Sequence, residues 1–203
     1  MHLLIATTNP GKIREFRQML GAERFEWSDL SRHAGGEAPE ETGRTFRANA
    51  CLKAIHYARL LGTAAIADDS GLEVDALGGS PGVHSARWAK LNGAGKGDAD
   101  NNALLLKQVA DVPEEKRSAR FVCVLALADE RGRILVTVRD TVEGRMIREA
   151  RGKNGFGYDP LFFVPSHGCT TAELSADAKH RISHRGKALR RLRELMDGMN
   201  LNP

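Results

Sequence analysis

The feature that most constrains this chain is an apolar run that ends in two adjacent carboxylates. Residues 63–67 are small or apolar and predict a short buried strand. The tetrapeptide Asp-Asp-Ser-Gly follows at 68–71, and residues 72–77 alternate well enough to predict another strand. One interpretation is a plain turn, because these residue types favour turns for local reasons. The other is a reactive site at a strand end, where extended backbone lets only one of the two acids face a given pocket.

Length and composition predict a single globular domain over residues 1–203, with room for two lobes. The chain of 203 residues is long enough for one substantial core, and no linker rich in proline and serine divides it. Its 41% hydrophobic and 28% charged residues are typical of soluble globular proteins. No window approaches 18 consecutive apolar residues, and the N-terminus lacks the basic region of a signal peptide. We therefore expect a cytoplasmic protein without a membrane partner.

Charge and cysteine content narrow the function only slightly. The formal net charge of +4 favours an anionic partner, but it does not separate a nucleotide from a nucleic acid. The cysteines at 51, 123 and 169 lie far apart and lack C-x-x-C spacing. They predict neither a disulfide framework nor a thiolate metal site, and we interpret them as reduced residues without a chemical role.

The N-terminal segment predicts a strand, a loop and a helix. Residues 3–7 form an apolar strand pattern, and apolar residues from Ile13 to Leu20 recur at helical spacing. The loop from Thr8 to Lys12 offers a hydroxyl, an amide, backbone N–H groups and an ammonium, which together suit phosphate. It is not a Walker A loop, because Ile13 follows the lysine. The alternative interpretation is a capped helix with a surface lysine.

Two acids precede a second predicted helix. An apolar stripe from Phe46 to Leu61 predicts a helix that starts near Thr45. Glu40 and Glu41 stand just before it, where negative charge favours the helix dipole. Alternatively, one of them joins the aspartate pair as a ligand for Mg²⁺, which is usually held by one or two carboxylates together with substrate phosphates.

The second half of the chain predicts a hairpin, two helices and a glycine-rich loop. Residues 120–127 and 134–138 flank a turn and predict an antiparallel hairpin, so we expect a mixed sheet. Helices are predicted over residues 98–109 and after Ser183, a natural N-cap.

The loop at residues 155–160 presents two aromatic rings and an acid between glycines. It is no dinucleotide fingerprint, because a proline and an apolar run follow where a helix should open. Rings flanked by glycines suit base stacking, whereas ordinary core packing of Phe156 and Tyr158 is the alternative. Lys179, His184 and Arg185 lie near the entrance of the last helix, where donors can converge on an acceptor.

Taken in order, six segments resemble the inosine triphosphate pyrophosphatase family. These enzymes hydrolyse non-canonical purine nucleoside triphosphates such as ITP, dITP and XTP to the monophosphate and pyrophosphate, which keeps those nucleotides out of DNA and RNA. The segments lie at residues 7–12, 40–43, 67–72, 81–87, 155–160 and 183–186, so together they span nearly the whole chain from Thr7 to Gly186. In the first segment Thr8 replaces the family's usual glycine, and a threonine would be strained there if the position needs a positive φ.

The resemblance implies an α/β fold with an elongated mixed β-sheet, flanking helices and two lobes with the active site in a cleft between them. It also implies a homodimer, a small-molecule purine nucleoside triphosphate as substrate and Mg²⁺ as cofactor. Glu41 and Asp69 are expected to hold the metal, and Asp69 to orient or deprotonate the attacking water. The expected substrate contacts are Thr7, Thr8, Asn9, Pro10, Gly11, Lys12, Ser70, Phe156, Gly157, Tyr158, Asp159, Lys179, Ser183, His184 and Arg185.

Two other functions stay open at this point. A basic α/β module would use Phe156 and Tyr158 to stack single-stranded nucleic acid, but the charges of Asp68 and Asp69 would repel its backbone without a metal. We therefore expect no nucleic-acid partner. The second alternative is a pyrophosphatase for modified pyrimidine triphosphates on a similar fold, against which the run at residues 156–159 argues.

Overall fold

The computed structural model describes residues 2–20, 25–32 and 38–199. Its strands are β1 (His2–Ile5), β2 (Glu26–Asp29), β3 (Ala64–Val74), β4 (Ser118–Ala128), β5 (Ile134–Met146), β6 (Phe162–Val164) and β7 (Cys169–Thr170). Its α-helices are α1 (Pro10–Leu20), α2 (Phe46–Leu61), α3 (Trp88–Leu91), α4 (Asp98–Gln108), α5 (Ala176–Ile182) and α6 (His184–Gly198). Within these residues, no helix combines the length and the hydrophobicity that crossing a membrane requires.

The strands form one sheet in the order β2-β1-β3-β4-β5-β6-β7. Strand β1 pairs in parallel with β2 and β3, whereas β6 pairs antiparallel with β5 and β7. The predicted hairpin is present as the neighbouring strands β4 and β5, whose turn is closed by a bond of 3.0 Å from the Asp129 N–H to the Arg133 carbonyl. The prediction of an α/β fold with a mixed sheet and flanking helices is therefore confirmed.

The chain divides into two compact units, each with its own core. The first unit consists of Met1–Asp69, Cys123–Asp140 and Arg185–Pro203, and the second of Ser70–Val122 and Thr141–His184. Because the division cuts through β3, β4 and β5, each of these strands contributes residues to both units.

The core of the first unit is built from strands β1, β3 and β4 with one face each of α1 and α6. Phe16 and Leu20 of α1 and Leu189 and Leu192 of α6 are buried in it, as their helical spacing predicts. Burial of each such side chain stabilises the fold by about 1.5–3 kcal/mol. Helical spacing also predicts Leu195 on the inner face of α6, but Leu195 is 39% exposed, so for this residue the prediction is wrong.

The core of the second unit collects the inner face of α4 and side chains of β4, β5 and β6. Leu105 and Val109 are buried against Phe121 and Phe162, whose rings lie 4.5 Å apart between centroids. The predicted helix over residues 98–109 is observed as α4, which this packing holds in place.

Strand β3 corrects the prediction of two strands separated at the aspartate pair. It runs from Ala64 to Val74 without interruption, so both acids lie within the strand. Gly71 serves close packing rather than a turn, because an added Cβ would lie 2.4 Å from Ser85 Oγ and 2.6 Å from the Gly82 carbonyl oxygen. The Leu72 N–H donates to the same Ser85 hydroxyl at 2.9 Å.

Helix α1 begins earlier than predicted and includes part of the expected phosphate loop. Pro10 occupies the first helical position, which suits its fixed φ and its missing N–H. The Asn9 side chain accepts the Lys12 N–H at 3.1 Å, as an N-cap does, and the Thr7 hydroxyl accepts the Asn9 N–H at 3.2 Å. The segment is therefore a capped helix N-terminus that is also suited to bind an anion.

Candidate active site

In the first unit, one largely buried ammonium group bridges the two predicted metal ligands. Lys53 Nζ lies 3.0 Å from Glu41 Oε1 and 2.7 Å from Asp69 Oδ1. Lys53 comes from α2, Asp69 from β3, and Glu41 from the segment that leads into α2. The structure thus brings together the two carboxylates that the sequence analysis paired, and it places a cation between them.

Asn49 ties the segment that carries Glu41 to Asp69. Its Oδ1 accepts the Gly43 N–H at 2.8 Å, and its Nδ2 donates to Asp69 Oδ2 at 3.4 Å. Gly43 permits this approach, because an added Cβ would lie 2.4 Å from Asn49 Oδ1. Asn49 is fully buried one turn before Lys53 on α2, so both side chains leave the same helix face.

Burial and charge act in opposite directions on the protonation of this group. Burial raises the pKa of Asp69 above its ordinary value, although the nearby Lys53 ammonium lowers it. Burial also lowers the pKa of Lys53, but the carboxylates of Asp69 and Glu41 outweigh that effect and raise it overall. The result is a permanently charged lysine beside a carboxylate that holds a proton more readily than usual.

The chemistry of Glu41 and Asp69 fits Mg²⁺. Within the described residues, no group of three or more histidine, cysteine, aspartate or glutamate side chains is arranged to hold a metal ion. Mg²⁺ does not need such a cage, because it is commonly held by one or two carboxylates together with substrate phosphates and water. Two carboxylates that already converge on one cation meet this requirement.

Asp68 is the centre of a second, deeply buried ionic network in the same unit. Its Oδ1 is paired with Lys12, and its Oδ2 accepts from Arg185 Nε at 3.0 Å. Arg185 in turn binds Glu15 of α1 at 2.6 Å through Nη1. Negative and positive groups alternate through the network, so each buried charge is compensated.

Cys123 takes part in this network, which corrects its interpretation as a residue without a role. Its Sγ lies 3.2 Å from Asp68 Oδ2 and donates a hydrogen bond to it. Burial raises the pKa of Cys123 well above its ordinary value, so the thiol keeps the proton that it donates. The three cysteines are free thiols, as expected.

The two adjacent aspartates therefore face different environments, as their alternation along an extended strand predicts. Asp69 meets α2 through Asn49 and Lys53, whereas Asp68 meets α1 and α6 through Lys12 and Arg185. In the structure the Arg185 guanidinium binds Asp68 and Glu15, and its expected substrate contact stays a prediction.

In the second unit, Asp159 organises the glycine-rich loop. Its Oδ2 accepts the Phe156 N–H at 2.8 Å and the Lys179 ammonium at 2.5 Å, and its Oδ1 accepts the Thr171 hydroxyl at 2.8 Å. Gly155, with φ +80°, leaves room for the carboxylate, since an added Cβ would lie 2.0 Å from it. Both carboxylate oxygens thus bind protein donors that fix the loop.

Phe156 is half-buried and lies next to the buried Lys179 side chain. The Lys179 Nζ lies 5.0 Å from the centroid of the Phe156 ring, within cation–π range. The ring is only half-buried. An aromatic face next to an ammonium donor is suited to stack on a base and to meet an acceptor at its edge.

Two other residues that were predicted to contact the base, Tyr158 and His184, are buried and interact with residues of the second unit. Tyr158 is 4% exposed in the core, and its hydroxyl donates to the Ser85 carbonyl at 2.9 Å. Burial raises the pKa of this hydroxyl, which therefore stays protonated. His184 is buried with its ring stacked on Phe121 at 5.0 Å between centroids. Core packing, the alternative interpretation of Tyr158, is thus observed.

The remaining predicted contacts occupy more varied positions. Thr8 and Pro10 are exposed, and Thr7, Asn9, Gly11, Ser70 and Gly157 are partly buried. Ser183 is buried at the junction between α5 and α6.

Lys53, Asn49 and Glu15 were not among the site residues predicted from the sequence. Lys53 lies within the stretch from Phe46 to Leu61, and a lysine four residues after an asparagine there forms a polar pair on a buried helix face. Glu15 carries a weaker signal, a single acid between the apolar residues of α1.

The chain is similar to known proteins over most of its length. Residues 3–195 match the sequence model of the Ham1 family. A dITP/XTP pyrophosphatase of Exiguobacterium sibiricum is 52% identical over 192 residues, which cover 95% of this chain and 95% of that protein. A dITP/XTP pyrophosphatase of Pseudomonas aeruginosa is 49% identical over 193 residues, again with 95% of each chain covered.

Solved structures give the same result for the fold. The structure of a HAM1 protein from Coxiella burnetii matches with a TM-score of 0.87 and 39% identity, covering 98% of this chain and 99% of that one. The nucleoside-triphosphatase / dITP/XTP pyrophosphatase from Mycobacterium abscessus matches with a TM-score of 0.77 and 43% identity, covering 95% and 98%. The resemblance inferred from six sequence segments is confirmed.

Proposed function

This chain belongs to the Ham1 family, and on that premise we propose that it hydrolyses the non-canonical purine nucleoside triphosphates dITP, XTP and ITP to the monophosphate and pyrophosphate. Its role is to cleanse the nucleotide pool in the cytoplasm, so that these nucleotides are not incorporated into DNA and RNA. The observation that carries the proposal is the convergence of Glu41 and Asp69 on the largely buried Lys53 ammonium.

We assign the hydrolytic step to Asp69. Water attacks the α-phosphorus, the bond to the bridging oxygen of the β-phosphate breaks, and pyrophosphate leaves. Asp69 orients the water and accepts its proton, as a positioned carboxylate can. Such a reaction depends on alignment and charge neutralisation more than on covalent chemistry.

Charge neutralisation is assigned to Lys12, to the N-terminus of α1 and to a metal. The Asn9 cap and the first turn of α1 present N–H groups and a lysine to phosphate oxygens. Glu41 and Asp69 would hold Mg²⁺, which when bound neutralises charge on the phosphate oxygens and polarises them. Lys53 keeps the two carboxylates together before a metal is bound.

Base recognition is assigned to the second unit. Phe156 stacks on the purine, and donors from Lys179, Ser183 and His184 favour the 6-keto oxygen of hypoxanthine and xanthine. The amino group of adenine would place a donor against a donor, and a buried donor left without an acceptor costs ~1–3 kcal/mol.

The test is a pyrophosphate-release screen over dITP, XTP, ITP, the standard triphosphates and modified pyrimidine triphosphates, with and without Mg²⁺. We expect metal-dependent pyrophosphate release from dITP, XTP and ITP, and little from ATP. Release of orthophosphate would refute cleavage at the α-phosphorus. A preference for modified pyrimidine nucleotides, or binding of single-stranded RNA without turnover, would refute the substrate class.

We further propose that the two units belong to one domain and that the protein is a homodimer. Light scattering coupled to size-exclusion chromatography should give twice the mass of the 22.2 kDa chain. Thermal unfolding should show a single cooperative transition. A monomeric mass contradicts the dimer, and two separate transitions contradict the single domain.

A further inference from the structure

Two residues of α4 hold the peptide groups that follow Phe156. Asp98 Oδ2 accepts the Gly157 N–H at 2.6 Å, and Asn102 Nδ2 donates to the Gly157 carbonyl at 3.0 Å. The two side chains are four residues apart and therefore leave the same face of the helix. Together they bind the donor and the acceptor of one glycine.

Helix α4 is a firm support for these bonds. Leu105 and Val109 anchor it in the core of the second unit. At its start, Asn101 Oδ1 accepts the Ala89 N–H at 2.7 Å, and Asn101 Nδ2 donates to the Ala86 carbonyl at 3.3 Å. The backbone positions of Asp98 and Asn102 on this helix are therefore well fixed.

The backbone of Phe156 is consequently held on both sides. Its own N–H binds Asp159, and the next N–H, that of Gly157, binds Asp98. Gly157 has φ +62° with open space around a hypothetical Cβ, so the position requires glycine for its conformation and not for room. Because Phe156 is only half-buried, packing against the core fixes its ring incompletely. The backbone hydrogen bonds on either side therefore contribute to the orientation of the ring.

We propose that Asp98 and Asn102 are positioning residues that preorganise Phe156 for the purine base and thereby set nucleotide affinity. The inference rests on the proposed function, since it concerns the base contact of the same substrate. A stacking ring that is already oriented binds without the entropic cost of ordering the loop. Removing either bond should therefore raise the KM for the nucleotide and leave kcat little changed, because Asp69, Lys53 and Glu41 belong to other elements.

The test compares Asp98→Ala, Asp98→Asn and Asn102→Ala with the wild type in steady-state hydrolysis of dITP and XTP. Each alanine variant should raise KM by roughly tenfold, the scale of one lost hydrogen bond to a charged or amide group. Asp98→Asn keeps an oxygen that accepts the Gly157 N–H and should recover most of the affinity. Asp100→Asn is the matched control, because Asp100 lies in the same helical turn and accepts a backbone N–H from Lys96 instead.

Competition by inorganic tripolyphosphate separates positioning of the base platform from general damage. Tripolyphosphate carries the phosphates without a base, so its inhibition constant should be the same in all variants and the wild type. Equal losses of affinity for tripolyphosphate and dITP, an unchanged KM in both alanine variants, or an equal KM rise in Asp100→Asn would overturn the inference. If the wild type does not release pyrophosphate from dITP or XTP, the proposed function fails instead, and fluorescence-monitored binding of the same nucleotides still tests the positioning role.

Discussion

The Lys53 ammonium lies 2.7 Å from the Asp69 carboxylate, and both groups are largely buried. The same ammonium reaches Glu41, so three charges share one site with a net charge of −1. This arrangement stabilises two neighbouring carboxylates that would otherwise repel each other. Burial raises the pKa of Asp69, and the Lys53 ammonium partly offsets that effect.

Asp69→Asn should abolish most of the activity. The amide keeps the size of the side chain but loses the charge that a water-activating carboxylate needs, so kcat should fall by ~10² or more. Single-turnover rates measure this loss. Nucleotide affinity, measured with Ca²⁺ or Mg²⁺ present, should be largely retained because Lys12 and Phe156 are unchanged.

Asp68→Asn is the matched substitution on the adjacent residue. It weakens the anchors of Lys12 and Arg185 and should act through nucleotide affinity and stability more than through the chemical step. A nearly wild-type Asp69→Asn together with an inactive Asp68→Asn would show that the catalytic carboxylate has been assigned to the wrong residue.

The pH profile should report the ionisation of Asp69. A base must be ionised to act, so kcat/KM should fall on the acidic side, and this limb should lie at higher pH when Mg²⁺ is limiting, because burial raises the pKa of Asp69 and a bound cation opposes that shift. Lys53→Met removes the ammonium that lowers the pKa of Asp69 and should move this limb to higher pH. Lys107→Met removes an exposed lysine of α4 and should leave the acidic limb of the pH profile in place. A limb that stays fixed, or moves to lower pH, in Lys53→Met would contradict the electrostatic assignment.

Asp69→Asn should lower activity but should not lower the thermal stability of the protein at pH 7. Because the folded pKa of Asp69 lies above its ordinary value, the folded state binds this proton more tightly than the unfolded state does. Its stabilising contribution is present below the unfolded pKa and is lost as pH rises through the folded pKa. At pH 7 and without metal, Asp69→Asn should therefore melt at the same temperature as the wild type or higher. A clear decrease in Tm would show that the Lys53 pair outweighs the cost of burial.

Glu15→Gln should destabilise the protein through Arg185. The Arg185 side chain is 3% exposed, and loss of the Glu15 charge leaves one buried positive charge incompletely compensated. We expect a loss of about 1–3 kcal/mol in the free energy of unfolding, measured by denaturant titration. Glu114→Gln breaks an exposed pair with Arg145 and should change stability by less than about 0.5 kcal/mol. Equal effects of the two substitutions would contradict a special role for the buried network.

Phe156→Ala should raise KM for all purine triphosphates, since stacking on an aromatic ring is worth ~1–3 kcal/mol per base. Phe156→Tyr keeps a ring and is the control that should retain most affinity.

His184→Ala should instead narrow the ratio of kcat/KM between ITP and ATP, because it removes a donor for the 6-keto oxygen. Equal losses with both nucleotides in His184→Ala would argue that stacking of His184 on Phe121 is structural only.

Local sequence patterns predicted much of the fold because they reflect periodicity and capping. The buried residues of α1, α4 and α6 follow from helical spacing with the exception of Leu195, and the β4–β5 hairpin follows from two apolar runs around a polar turn. The interruption of β3 was predicted wrongly because Gly71 is a turn residue by local preference, whereas in the folded chain it makes room for Ser85.

The residues alone determined which chemistry is available: two carboxylates in series, a capped helix with a lysine, and an aromatic ring between glycines. Only the tertiary structure decided how these groups are partnered. Arg185 meets Glu15 across 170 residues of sequence, and Lys53 meets Asp69 across 16. A charged group that loses its water on burial is stable only beside a group of opposite charge. Which groups become neighbours depends on how the strands and helices are placed and not on local sequence.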